Sequence, residues 1–172
     1  MTTKYISQFE DTDEATFERQ PNSRQRILVV EDDRLIRRLN SEVLTCSGYQ
    51  VDTAEDGAVA WGAIQNENYD LIVTDNDMPN MTGIGLLQEL HEAHLSLPFI
   101  MATGTFPEEE MNLHPWLRIE AVLLKPYTFD ELLGTVKEVL RATTAARGEI
   151  APPPNWHSEP LPNQPLPNRL RL

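Results

Sequence analysis

The stretch Tyr69-Asp70-Leu71-Ile72-Val73-Thr74-Asp75-Asn76-Asp77-Met78-Pro79 constrains this chain more than any other. Leu71 to Thr74 are apolar or β-branched, and acids follow at once. Such a run reads as a buried strand ending in a polar site. Pro79 blocks continuation of the strand, because it has no N–H to give to a ladder. Asp75 is thereby delivered to the carboxyl end of a central strand, where open α/β sheets place their chemistry. An aspartate there serves as a nucleophile, a metal ligand, or a cap on the next helix.

The same strand-then-polar pattern recurs along the chain. Arg26 to Val30 is short, apolar and β-branched, hence a buried parallel strand. It runs into Glu31-Asp32-Asp33. Two unit charges 4 Å apart repel by about 4 kcal/mol at an effective dielectric of about 20, so acids kept together there call for a cation. Asp33 leaves the cluster by capping the next helix. In that helix Leu35, Ile36, Leu39, Val43 and Leu44 form the apolar face, Arg34, Arg37, Arg38 and Glu42 take the other side, and Gly48 ends it. Cys46 reads as a small buried helix residue. Gln50 to Ala54 alternates, as an edge strand does. Ala58 to Asn66 is a helix packing through Val59, Trp61 and Ile64. A helix from Ile84 to about Ala93 buries Leu86, Leu87 and Leu90 and leaves His91 and His94 solvated. Leu97 to Thr103 is the fourth strand and Ala121 to Leu124 the fifth, closed by Lys125-Pro126. Between them, Glu108 to Leu113 has room for one or two helical turns before Pro115, and Trp116 is expected in the core or else in a partner contact. Thr128 caps a helix from Phe129 to about Ala142, with Asp130 and Glu131 in its first turn.

Residues 25–145 therefore form one domain. Residues 1–24 lack a sustained hydrophobic period and are expected to be a flexible arm, with room for a short helix from Asp13 to Gln20. Residues 146–172 form a Pro-rich tail, with seven prolines from Ala151 onward and two near-repeats, Pro160-Leu161-Pro162-Asn163 and Pro165-Leu166-Pro167-Asn168. Such a tail is a solvated extended segment, or a docking peptide anchored by Trp156 and its leucines. A formal net charge of −13 argues against a nucleic-acid surface. One cysteine excludes an intrachain disulfide. No run approaches the roughly 20 apolar residues of a membrane span, and no signal pattern opens the chain, so a cytoplasmic protein without membrane insertion is expected. Nothing after Ala142 is long or apolar enough for a DNA-binding or enzymatic module, so a stand-alone domain is expected.

Five βα units with right-handed crossovers give a parallel sheet with helices on both faces. Glu31, Asp32, Asp75, Thr103 and Lys125 then converge at one sheet edge. The acids make an oxygen-rich site suited to Mg²⁺. A lysine and a hydroxyl beside it offer what an aspartyl phosphate needs for its extra oxygens. With Val30-Glu31-Asp32, Asp75, Met78-Pro79-Asn80-Met81-Thr82-Gly83, Ala102-Thr103 and Lys125-Pro126-Tyr127 in this order, the chain from about Arg26 to Ala142 resembles the receiver domain of two-component response regulators. The resemblance implies a flavodoxin-like doubly wound five-stranded sheet of order 2-1-3-4-5. It implies Asp75 as phosphoacceptor, Mg²⁺ held by Glu31, Asp32, Asp75 and the backbone carbonyl of Asp77, Thr103 turned toward the phosphoryl group, and Lys125 paired with it across a cis Lys125-Pro126 bond. It implies a histidine kinase or phosphotransfer protein as donor and a downstream protein as receiver of the signal, met through the 104–127 surface or the Pro-rich tail.

The chain departs from the family pattern in places. Val122 stands where family members usually carry an aromatic coupled to the threonine. The fourth helix is short, flanked by Pro107 and Pro115, and Thr82 replaces a common aspartate. Two other readings follow. One is a degenerate receiver serving as an interaction module without phosphorylation. The other is a haloacid-dehalogenase-type phosphatase, whose strand-Asp-x-Asp start Leu71 to Asp77 resembles, although there the nucleophilic strand usually comes first and the acids later.

Overall fold

The computed structural model describes residues 25–148. The expectations for the N-terminal arm, its short helix and the tail beyond Gly148 fall outside the described residues. Five strands, β1 (Arg26–Val30), β2 (Gln50–Ala54), β3 (Leu71–Thr74), β4 (Phe99–Thr103) and β5 (Ala121–Leu124), form one sheet. Its order is β2-β1-β3-β4-β5 and every pairing is parallel. Helices α1 (Arg34–Cys46), α2 (Gly57–Asn66), α3 (Gly83–Glu92), α4 (Glu108–Leu113) and α5 (Phe129–Gly148) connect and follow the strands.

Because side chains alternate across a strand, the central strands feed two cores. Leu28, Ile72 and Phe99 pack with α2 and α3, while Ile27, Val73 and Ile100 pack with α1 and α5. Side chains such as Leu28 and Phe99, wholly removed from water, each contribute about 1.5–3 kcal/mol. At the opposite end from the Glu31–Asp75 site, Arg26 of β1 ties β2 to the segment that leads into β3. Its guanidinium meets Asp52 at 2.6 Å and Glu67 at 2.5 Å and lies 5.1 Å above the Tyr69 ring. Burial and a hydrogen bond with Asp52 push the Tyr69 phenol up to about 12.

Several expectations are corrected. On α1, Leu35 and Leu39 face solvent, and the inward row is Ile36, Asn40 and Leu44. The helix is turned so that the buried Asn40 amide donates to the Tyr127 hydroxyl at 2.9 Å, which a purely apolar face would not allow. On α2, Val59 is exposed and Ala60 and Ile64 point inward. Trp116 is 51% exposed, and Leu117 takes the core position instead. The Trp116 ring rests edge-on against His114, with centroids 5.0 Å apart. Cys46 is exposed at the end of α1. α5 runs past Ala142 because Thr143 to Arg147 holds no breaker, and the Thr143 and Thr144 hydroxyls donate back to the Val139 and Leu140 carbonyls.

Gly48 ends α1 at φ +97, with Tyr49 N–H on the Leu44 carbonyl and Gly48 N–H on that of Thr45, the double closure of a left-handed cap. α3 closes in a similar way, with Leu95 N–H on the Leu90 carbonyl, but with His94 at φ 56. A side chain in that region carries a steric cost that glycine escapes. His94→Gly is therefore expected to raise stability by about 0.5–1 kcal/mol, read as a rightward shift of the urea midpoint. An unchanged or lower midpoint would contradict this account.

Candidate phosphoacceptor site

β1 and β3 are adjacent and in register, Val30 opposite Thr74, so the residues after each strand are neighbours. The Asp75 N–H donates to the Val30 carbonyl at 2.9 Å, and the Glu31 N–H to that of Ala54 at 3.1 Å. Glu31 is 2% exposed and Asp75 7% exposed, whereas Asp32 lies open to solvent. One carboxylate oxygen from each of these three residues lies within 4.8 Å of the others.

Lys125 enters from the end of β5. Its Nζ lies 2.8 Å from Glu31 Oε2 and 2.6 Å from Asp75 Oδ2. The Lys125–Pro126 peptide is cis. Burial pushes the Glu31 carboxyl above its ordinary range, and the Lys125 hydrogen bond only partly offsets this. Burial works to lower the Lys125 ammonium, but hydrogen bonds to Asp75 and Glu31 outweigh it and hold it above its ordinary value. The other Asp75 oxygen, Oδ1, accepts from the backbone N–H groups of Asn76 at 2.6 Å and Asp77 at 3.3 Å. Both Asp75 oxygens are thus fixed in direction.

Thr103 is wholly buried at the end of β4, but its hydroxyl donates to the Thr105 carbonyl at 3.0 Å. It is engaged with its own loop. The Asp77 side chain is exposed and the residue sits one step beyond the Asp75–Asn76 turn. Three supporting groups escaped the sequence reading. Arg37, placed there on the outer face of α1, hydrogen-bonds the Glu31 carbonyl and, at 3.1 Å, the Asp32 carbonyl. Asn40 holds Tyr127 directly after Pro126. Asn76 accepts from the Ile84 N–H at 3.1 Å through its side chain and from the Gly83 N–H at 3.2 Å through its carbonyl, seating α3 against the site. Arg37 follows Asp33 by one helical turn, which was the available signal; the Asn40–Tyr127 pairing spans 87 residues and leaves none, and the Asn76 pairing, although only eight residues long, depends on how the loop turns back on α3.

The close seating of α3 requires glycine at 83. A Cβ there would lie 2.5 Å from the Asp75 carbonyl oxygen. Gly83→Ala is expected to cost about 1–3 kcal/mol, the usual range for overpacking, in an equilibrium urea melt. A cost under about 0.5 kcal/mol would show that the backbone yields easily.

A doubly wound parallel sheet with acids, lysine and threonine at its carboxyl edge defines an α/β domain of the flavodoxin-like class, with its site at the strand ends. The response regulator receiver domain matches residues 27–137. Response regulator MprA of Mycobacterium sp. (strain KMS) is 32% identical over 127 residues, covering 74% of this chain and 55% of that protein. Sensor histidine kinase RcsC of Escherichia coli (strain K12) is 35% identical over 115 residues, covering 67% of this chain and 12% of RcsC. Response regulator TrrA of Thermotoga maritima, solved in complex with Mg²⁺-BeF, superposes with a TM-score of 0.59 at 34% identity, covering 67% of this chain and 98% of that one. The chain belongs to the response regulator receiver domain family. It spans about half the length of its MprA relative.

The donor set fits the divalent cation that such sites take. Carboxylate oxygens clustered within 4.8 Å are the hard ligands Mg²⁺ prefers, and the exposed Asp32 leaves room for the waters it retains. Among the described residues no helix is long and apolar enough to cross a membrane.

Proposed function

We propose that Asp75 accepts a phosphoryl group from a phosphohistidine on a sensor histidine kinase or phosphotransfer protein. In this reading Glu31, Asp32, Asp75 and the Asp77 carbonyl hold Mg²⁺. The observation that carries the reading is Lys125 Nζ bridging Asp75 and Glu31 at 2.6 and 2.8 Å. It puts a fixed cation where negative charge gathers and holds one Asp75 carboxylate oxygen while the loop N–H groups hold the other.

An Asp75 carboxylate oxygen attacks phosphorus in line, the P–N bond to the imidazole breaks, and its electron pair returns to the imidazole nitrogen. Lys125 pairs with a phosphoryl oxygen as charge develops. Mg²⁺, when bound, neutralises charge on the transferring group. The acyl phosphate adds charge and acceptors that Asp75 lacked. Thr103 answers by releasing the Thr105 carbonyl and donating to the new group, which pulls on the loop between β4 and α4. Val122 is 37% exposed and supplies no aromatic ring to follow that movement, so the signal runs through the loop itself. The output is a protein contact or onward phosphoryl transfer.

A second reading, an interaction module that works without phosphate, draws on the exposed apolar Val122 and Leu124 of the edge strand. Intact mass after incubation with Mg²⁺ and acetyl phosphate separates the two. One added phosphoryl group, absent when Mg²⁺ is chelated before acetyl phosphate is added, is the expected result. No gain, together with no beryllofluoride binding, would leave the interaction module standing. Multiple turnover of a generic phosphate ester would favour a phosphatase instead.

A further inference from the structure

Asp56 is 4% exposed and divides its two carboxylate oxygens between two tasks. Oδ1 accepts from the Val59 N–H at 2.8 Å, capping α2. Oδ2 accepts from Nδ2 of Asn80 at 2.6 Å. Asn80 sits at φ 62, a conformation asparagine tolerates better than most residues. Next to it, the Gly57 N–H donates to the Met81 carbonyl at 3.1 Å. A Cβ on Gly57 would lie 2.8 Å from that oxygen, so the two loops touch backbone to backbone.

We propose that the Asp56–Asn80 pair is a positioning clamp for the metal site, holding the Asp75 loop so that the Asp77 carbonyl faces the cation. This rests on the site reading given above. The inner end of the loop needs no clamp, because Asp75 is tied to Val30, and Asn76 to Gly83 and Ile84. Asp77 lies between that fixed end and Asn80. A helix cap requires only one carboxylate oxygen. The second oxygen is spent on the loop in a charge-assisted hydrogen bond, stronger than a neutral one. The Val59 N–H and then the Asn80 amide hold the Asp56 carboxyl below its ordinary range, so it is ionised throughout the neutral region. Groups that orient metal ligands from behind typically matter about 10–100-fold in affinity.

The test is calorimetric titration of Mg²⁺ into the full chain, with a thermal melt of each protein without Mg²⁺. Asp56→Ser keeps an oxygen for the Val59 cap but removes the second oxygen, the one that accepts from the Asn80 amide. It is expected to weaken Mg²⁺ binding about 10-fold or more. Asn80→Asp sets two carboxylates against each other and is expected to weaken binding also, although it adds negative charge near the cation. The double variant Asp56→Asn with Asn80→Asp restores donor and acceptor in reversed sense and is expected to return to within about threefold of wild type. Tighter binding by Asn80→Asp, or a double variant as weak as Asn80→Asp alone, would overturn the clamp. So would Asp56→Ser that melts lower but binds Mg²⁺ as wild type does. Absence of Mg²⁺ binding in the wild type would overturn the site reading and the clamp together.

Discussion

Asp75→Asn is expected to abolish phosphoryl uptake, with a fall of about 10³-fold or more in rate, while the protein stays folded. The amide oxygen is a poor nucleophile, and an asparagine at 75 also removes a metal ligand. The fold is expected to survive for a specific reason. The main-chain anchors of residue 75, its N–H on Val30 and its carbonyl receiving the Thr74 hydroxyl, do not involve the carboxylate. Removing one of two neighbouring acids also relieves repulsion against Glu31, which lies almost wholly out of water. Mg²⁺ affinity should fall in the same variant. Intact mass and a urea melt, run on the same sample, check both halves. Retained phosphorylation at the same site would mean that Asp75 is not the acceptor.

Lys125→Met is expected to destabilise the protein by about 3 kcal/mol at neutral pH. Removing one partner of a buried ion pair costs about 3–5 kcal/mol, and the low end applies because the Lys125 side chain is 22% exposed. Methionine keeps most of the stem volume, so the loss isolates the charge. It leaves Glu31 and Asp75 facing each other without a cation. Glu31 already lies above its ordinary value of 4.5 through burial, and without the lysine it rises further. A raised carboxyl favours the folded state most below the unfolded value and loses that advantage as pH rises through the folded one. The penalty of Lys125→Met should accordingly shrink as pH falls toward that value. Lys125 itself, held above 10.5, contributes stability below that value and loses it as pH rises through the higher folded one. Millimolar Mg²⁺ should recover part of the loss at neutral pH by binding only the folded chain. Urea melts at several pH values, with and without Mg²⁺, test this. A penalty that grows on acidification would sink the electrostatic account.

Much of this protein was legible from the order of its residues. The apolar runs ending in Glu31, Asp75, Thr103 and Lys125 are short, and the helical segments between them call for a parallel sheet covered on both faces. Parallel strands with crossover helices bring every strand's carboxyl end to one edge, so residues distant in sequence had to meet. Periodicity also marked where helices lie, because hydrophobic spacing depends only on local geometry.

The rotation of each helix about its axis was a different matter, since it depends on what lies across the interface. Leu35, Leu39 and Val59 fit an apolar stripe equally well, yet α1 turns to bury Asn40 beneath Tyr127 and α2 turns to bury Ala60. Trp116 and Leu117 compete for one core position, and the loop after α4 selects the smaller residue. The hydrogen bonds from Arg37 to the Glu31 and Asp32 carbonyls, from Asn80 to Asp56, and from Thr103 to Thr105 are likewise decisions of the folded state. The existence of buried strands follows from the hydrophobic effect, which is summed over many residues and tolerates error at any one of them, whereas the strand order was implied by the family resemblance. A hydrogen bond needs two particular atoms within about 3 Å, and only the tertiary structure sets that distance.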